Sequence, residues 1–528
     1  MFNEPFMQIH LGRGPKGFEE VSTVHAYENF YVWESEVMKA QLMRLCPPRL
    51  WPHASYNNSC PRPILVNLRH EVMLRDLNTA LTLSLTDIVD RWWSDKAATF
   101  PQRMPLEPIE EGLLKYVERQ SANGALPPYT ERKGSWRPDF LVEDIHCADG
   151  TIQENFRITE INARFSFNAY MHAVFGHTAL EDTGMARYGL VPATTPKKII
   201  DGLFTLFRRD RPLHLLKGQE PGGDFYMFVE AVRRRTGSSP RIIAPSDLRL
   251  VVNEERKTGY MLCAISKAPA CHATSAVASP VFITEDGECV EEIFQVGLEL
   301  HQHELVCLPL NMLQELCTVC FNDLRTIFLV HDKRMLGIIK QELQDQVARG
   351  VLSQQQAVIL DRGIADTYLP GSPEIQEILD HSEKHPEFRQ HFLLKAIRGG
   401  KGDGIVFGDE MTNEEWVEAL QRQVSPGLDL EKSSVVQRRI ISRRYNMVLK
   451  ASGEKVHFPL IGTYFTINGA YLGLGGWRSS NDRICTVVNG GAWICSVIRR
   501  EDHFGESVLS QGEGIGEKQL SKVLSTTK

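Results

Sequence analysis

The stretch from about Arg137 to Ala173 constrains the fold most, because its alternating side chains predict a strand, a turn and a second strand. RPDFLVEDI is strand-like, Asp149-Gly150 in HCADGT supplies the turn, and FRITEINARF returns. Alternation puts Arg137 and Asp139 on one face of the first strand, and Glu160, Asn162 and Arg164 on one face of the second. Such a hairpin belongs in a sheet and delivers polar residues at its strand ends. Two carboxylates and an amide oxygen are hard ligands of the kind Mg²⁺ takes. The neighbouring arginines suit a phosphate or a carboxylate. A surface ladder of cross-strand charge pairs accounts for the same residues.

A second segment, FLLKAIRGGKGDGIVFGDEMTNEE, brings a strand carrying Lys395 into the loop Arg398-Gly399-Gly400-Lys401-Gly402-Asp403-Gly404. A strand continues through Ile405–Phe407, and Thr412 with Glu415 forms a helix-capping box. Glycines let backbone N–H groups approach phosphate oxygens closely and adopt positive φ, and Lys395 adds a point charge. No Gly-Lys-Ser/Thr ends the loop, so it is not a Walker A motif. No His-Arg-Asp or Asp-Phe-Gly follows, so it is not a protein-kinase set. Alone, the loop is equally well a plain hairpin turn. In a third segment, Gly475-Gly476-Trp477-Arg478 offers an arginine beside glycines and Asn489-Gly490-Gly491 follows. These serve either to clamp an anion or as two ordinary turns.

The rest of the chain frames these segments. HEVMLRDLNTALTLSLTDIVDRWW has helical spacing, residues 197–328 alternate strands and helices as a small parallel α/β unit would, HDKRMLGIIKQELQDQVARG predicts a helix, and the part from about Tyr445 is β-rich. At 528 residues the chain has room for about three units, here placed at 1–196, 197–328 and 329–528. The formal net charge is −7, which gives no reason to expect nucleic acid or an anionic membrane as partner. Eleven cysteines without a repeated spacing suit a reducing compartment, and Cys317-x-x-Cys320 reads as buried thiols on a helix. No run of about 18 apolar residues occurs. The N-terminus has no secretory pattern, and Ser521 to Lys528 carry no lipid or retention signal. The expectation is a cytoplasmic protein. His172 and His177, near the second strand, are acid–base candidates, although packed or surface histidines look the same in sequence.

Together the segments resemble the circularly permuted ATP-grasp ligases, the group of glutathione synthetase and glutathionylspermidine synthetase. Those proteins also run from Arg-x-Asp to Glu-x-Asn, through an inserted α/β domain, to a lysine and a glycine-rich loop, and end in a β-rich part with an arginine. The resemblance covers roughly Arg137 to Ile498. It implies an α+β, circularly permuted ATP-grasp fold with an inserted α/β substrate domain. It further implies Asp139, Glu160 and Asn162 as Mg²⁺ ligands, and Lys333 and Lys395 as the lysines on the ATP phosphates. Gly399, Gly400, Gly402 and Gly404 match the phosphate-covering loop, Gln437 falls near the adenine, and Arg137 and Arg478 match arginines by the transferred phosphate and the substrate carboxylate. Gly399 replaces the loop glutamate of glutathione synthetase, which shifts metal binding toward Asp139. Phe165 and Phe167 stand where serines contact the peptide substrate of glutathionylspermidine synthetase, which argues against glutathione precursors.

The chemistry implied is attack of a substrate carboxylate on the γ-phosphate of ATP, giving an acylphosphate and ADP, followed by capture by an amine. Such phosphoryl transfer is mostly positioning and charge neutralisation. The partners implied are small-molecule carboxylates and amines, with neither nucleic acid nor membrane, and the family resemblance implies a homodimer. The alternatives are a small-molecule phosphotransferase on the same ATP site, and a non-catalytic nucleotide-binding module.

Overall fold

The computed structural model describes residues 4–22, 28–167, 169–266, 280–400, 402–429 and 432–502. The predicted hairpin forms from Ser135–His146 and Ile152–Asn162. Its turn holds because Asp149 Oδ1 accepts the Thr151 amide N–H at 2.9 Å and Gly150 takes a positive φ of 81°.

This hairpin is one edge of a large curled sheet. From the other edge the order is Phe18–Glu20, Met7–Leu11, Ser59–Val66, Ala492–Arg499, Trp477–Ser479, Ile461–Ile467, Ser135–His146, Ile152–Asn162. Ser59–Val66 and Ala492–Arg499 run parallel, and the other pairs on this path are antiparallel. The first and last parts of the chain therefore interleave in one sheet. The helix Leu68–Arg91, capped by Asn67 accepting the His70 amide N–H at 3.2 Å, buries Leu74, Leu77, Leu81, Leu85 and Ile88 in the principal core. That is the helical stripe its sequence predicts.

A smaller antiparallel sheet carries Thr367–Tyr368, Ser434–Arg438, Phe392–Ala396 and Ile405–Phe407 in that order. Helices Pro373–Lys384 and Asn413–Gln423 pack on it through Ile375, Leu379, Trp416 and Leu420. Thr412 caps the second helix as its sequence predicts, accepting the Glu415 amide N–H at 3.2 Å. Within 197–328 lies a three-stranded parallel sheet, with His214–Lys217 between Val296–Glu299 and Arg241–Ile243. The alternation of strands and helices did not foresee the four-stranded antiparallel sheet beside it, formed by Val281–Ile283, Cys289–Glu292, Tyr260–Ile265 and Leu248–Val252. Its hairpins are too short to carry a helical pattern. Among the described residues no helix is long and apolar enough to cross a membrane.

Candidate active site

The hairpin's register sets the site. Asp139 lies opposite Glu160 and Arg137 opposite Asn162, so all four side chains leave one face of the sheet. On the other side of its strand Asp139 pairs with Thr463, and the strand Trp477–Ser479 brings Arg478 beside it. Asp139 accepts from Arg137 Nε at 3.0 Å and Arg137 Nη2 at 3.3 Å, and from Arg478 Nη2 at 2.6 Å. Burial pushes this carboxyl up, but the two guanidiniums outweigh it and hold it below the usual carboxylate range. Sequence did not foresee this clamp: both oxygens of the expected metal ligand already serve arginines.

Glu160 and Asn162 are placed differently. The half-buried Glu160 carboxylate has no hydrogen-bond partner among the described residues, although it feels the Lys395 ammonium. The Asn162 amide is unsatisfied too, with Nδ2 buried and unpartnered. A hard cation between the Glu160 carboxylate and the Asn162 carbonyl oxygen would satisfy the carboxylate and orient the amide, so this donor set fits Mg²⁺. Asp139 can join through a remaining lone pair. No group of three or more His, Cys, Asp or Glu side chains suits a metal among the described residues.

Lys395 extends from the strand Phe392–Ala396 and donates to the Thr159 carbonyl at 3.1 Å. Burial lowers its ammonium to about 8, with Glu160 and Asp139 supporting the charge and Lys333 opposing it. Lys333 follows a buried π-type turn at Thr326–Val330 and opens the helix Arg334–Ala348. Its Nζ donates to the Gly399 carbonyl at 2.9 Å, tying helix to glycine loop. In the loop Gly399, Gly402 and Gly404 have φ of 107°, 87° and 73°, conformations that call for glycine. Lys401 lies outside the described residues. Gln437 Nε2 donates to Thr367 Oγ1 at 2.9 Å and to the Thr159 carbonyl at 3.2 Å.

Arg137, Asp139, Glu160, Asn162, Lys395, Gly399, Gly400, Gly402, Gln437 and Arg478 line one cavity of about 710 Å³. Lys333 and Gly404 stand behind the wall, where they hold the loop. Arg164, one of the arginines whose sequence position suits a phosphate or a carboxylate, also lines it. Burial and Arg398 lower this guanidinium to about 10, its Nη2 donates to Gln302 at 2.7 Å, and its Nε is buried without a partner. It is thus a cation short of acceptors, as an anion site requires. Glu299 also lines the cavity, and burial raises its carboxyl to about 8. Sequence gave no signal for Glu299, which sits in a short apolar strand.

Of the aromatics near the motif, Phe165 and Phe167 line the cavity, Tyr170 stacks on Phe465 at 4.3 Å, and Trp477 is core, donating to Ser496 Oγ at 2.7 Å. His177 is a packed histidine that burial pushes down to about 4, whereas His172 lines the cavity. Cys317 and Cys320 are buried free thiols raised by burial, as read from sequence.

Comparison with known proteins adds three findings. The family described as the AnkG N-terminal domain matches residues 77–329. The ATP-grasp enzyme ankG of Aspergillus thermomutatus is 35% identical over 496 residues, which spans 93% of this chain and all of that relative. A solved glutathione synthetase-like effector of Globodera pallida, in its apo form, aligns with 89% of this chain and 98% of its own at TM-score 0.48 and 10% identity, a likeness too slight to argue from.

Proposed function

The chain belongs to the ATP-grasp enzymes, and from that premise we propose that it joins a carboxylic acid to an amine through an acylphosphate, releasing ADP and phosphate. The observation that carries this reading is the meeting of two oppositely charged sets in one cavity. Glu160 and Asn162 on the hairpin face Lys395 and the glycine loop of the smaller sheet. The volume of about 710 Å³ falls in the range of small-molecule sites, roughly 300–1,000 Å³.

The residues divide the work by chemistry. Lys395 and the amides around Gly399 to Gly404 hold the nucleotide phosphates, Lys333 braces that loop through the Gly399 carbonyl, and Gln437 lies toward the base. Arg137 and Arg478, fixed in place by Asp139, offset the charge that builds on the transferred phosphoryl group and on the acid. Arg164 supplies a further anchor for the acid. Glu160 and Asn162, with Asp139 in support, would hold Mg²⁺, which would supply positive charge against the phosphates. In the first step a carboxylate oxygen attacks the γ-phosphorus and ADP leaves. In the second the neutral amine attacks the acyl carbon, the bond to phosphate breaks, and the nitrogen's proton passes to the departing phosphate. No side-chain nucleophile is needed for either step.

Residues 197–328 supply part of the substrate wall, including Glu220, Asp224 and Glu299, which supports reading them as an inserted substrate domain. The order of Glu160 ahead of the glycine loop supports a circularly permuted arrangement. A cytoplasmic location is supported by ten unpaired cysteines among the described residues.

The test is an ADP-release screen against amino acids and other small carboxylates with added amines, followed by mass spectrometry of the products. A new amide formed with stoichiometric ADP is expected. Phosphorylated product without an amide would replace the ligase reading with a phosphotransferase. Glu160→Ala and Lys395→Ala should each lower turnover by about a hundredfold or more with a cooperative thermal melt retained. Full activity in either would remove that residue from the site.

A further inference from the structure

The lining of the cavity carries three side chains in a hydrogen-bonded line. His172 stands in the first turn of the helix Tyr170–Asp182. Its Nδ1 lies 3.1 Å from Asp224 Oδ1, and its Nε2 lies 2.9 Å from Ser55 Oγ. All three residues line the cavity. Asp224 is buried at 1% exposure, and its other oxygen accepts the Met171 amide N–H at 2.6 Å. Carboxylate, imidazole and hydroxyl thus follow one another in the order that activates a serine, an arrangement recognised by geometry and not by position in the chain.

Three histidine–carboxylate pairs of the core lack this design. His10–Glu34, His70–Glu154 and His214–Glu291 are buried in the core away from the cavity. On their second nitrogens His10 and His214 have no partner, and His70 accepts the Asn67 amide N–H. His172 alone among these four has a hydroxyl there, and 17% of its side chain is exposed. Its ring lies edge-to-face against the stacked pair Trp51 and Trp493, with centroids at 5.3 and 5.8 Å.

The backbone around Ser55 is also unusual. His53 and Ala54 have φ of 49° and 50°, in the left-handed region that disfavours side chains. Trp493 Nε1 pins the bend by donating to the Ser55 carbonyl at 2.7 Å. The turn ahead of Asp224 lines the same cavity, and the amide N–H groups of Gly222 and Gly223 make no hydrogen bond among the described residues. Free backbone donors of this kind are what an oxyanion needs.

We propose that Ser55 is an acyl-accepting nucleophile, with His172 as its general base and Asp224 as the group that holds the imidazole, giving this cavity a second activity toward activated carboxylic esters. Ser55 Oγ attacks the ester carbonyl carbon while its proton passes to His172 Nε2, and His172 Nδ1–H stays on Asp224. The bond to the leaving oxygen breaks, and that oxygen takes the proton from His172. Water then attacks the acyl-serine, gives a proton to His172, and releases the acid as Ser55 recovers its hydrogen. ATP takes no part, so the outcome is independent of the ligase reading.

The full-length protein, without nucleotide, is treated with a fluorophosphonate probe, and the adduct is located by peptide mass spectrometry. One adduct on Ser55 is expected, and none in Ser55→Ala. In His172→Gln and Asp224→Asn the labelling rate should fall by about a hundredfold or more, and p-nitrophenyl acetate hydrolysis should fall in parallel. Thermal melts identify a variant that has failed to fold, and the other then decides. An unlabelled Ser55 in the folded protein overturns the proposal. So does labelling at the wild-type rate in a folded His172→Gln or Asp224→Asn protein.

Discussion

Lys395 shows how a single buried charge ties affinity to pH. Its ammonium, lowered by burial to about 8, is held chiefly by Glu160. Near neutrality it is charged but gives up its proton easily. A phosphate in the cavity adds negative charge and favours the protonated form. Binding and protonation are therefore linked, and affinity for a non-hydrolysable ATP analogue should weaken as pH rises through about 8. The loss should approach about tenfold per pH unit above that point. Calorimetry from pH 7 to 9 checks it, and near pH 8 the heat should vary with buffer ionisation enthalpy because a proton is taken up. Lys395→Arg should flatten the profile. A flat wild-type profile would take Lys395 away from the phosphates. The sign for folding is opposite. Because the folded value lies below the ordinary 10.5, the unfolded chain binds more protons between pH 8 and 10.5. Burying Lys395 thus costs stability at neutral pH, and the cost shrinks as pH rises across that window.

At the scale of elements, what was legible in sequence is what local pattern encodes. Alternation revealed the hairpin and its polar face, and the glycine run revealed the loop between Phe392–Ala396 and Ile405–Phe407. Contacts between distant elements were not legible. Arg478 clamps Asp139 from 339 residues away, and Ser55 meets His172 across 117. No window of sequence carries such pairings, because register and crossing decide them. The loop itself makes a sharp prediction at Gly402. Its φ is 87°, and an added Cβ would press into the Ile484 side chain. Gly402→Ala should cost about 1–2 kcal/mol of loop conformation. The strain falls on a largely exposed loop, which can relax locally without disturbing the core but then leaves the conformation that approaches phosphate. ATP-analogue binding should therefore weaken by about tenfold while the melting temperature moves little. Calorimetry beside a thermal melt separates the two effects. A stability loss with unchanged binding would show that the loop does not cover the phosphates.

Across the whole molecule the sheet order matters more than the division into parts. Ala492–Arg499 lies between Ser59–Val66 and Trp477–Ser479, so the last described strand completes the sheet begun by the first. A β-rich C-terminal part was readable from its alternation, but its parallel pairing with Ser59–Val66 was not, since a parallel ladder between distant segments leaves no turn signal. The hairpin that presents Asp139 and Glu160 leans on the same arrangement, because Ile461–Ile467 joins it to Trp477–Ser479. Trp477, Ile494, Val497 and Ile498 are each at most 2% exposed. At about 1.5–3 kcal/mol per fully buried side chain, these four contribute roughly 6–12 kcal/mol. That is comparable with the whole net stability of a typical domain, about 5–15 kcal/mol. A chain ending at residue 475 should therefore lose its cooperative melt, bind no ATP analogue, and open the 135–162 hairpin to protease, even though every one of those hairpin residues is still present. Calorimetry and limited proteolysis read all three. If the shortened chain instead melts cooperatively near the full-length temperature, the two ends fold as separate units, and the site needs only the hairpin and the smaller sheet.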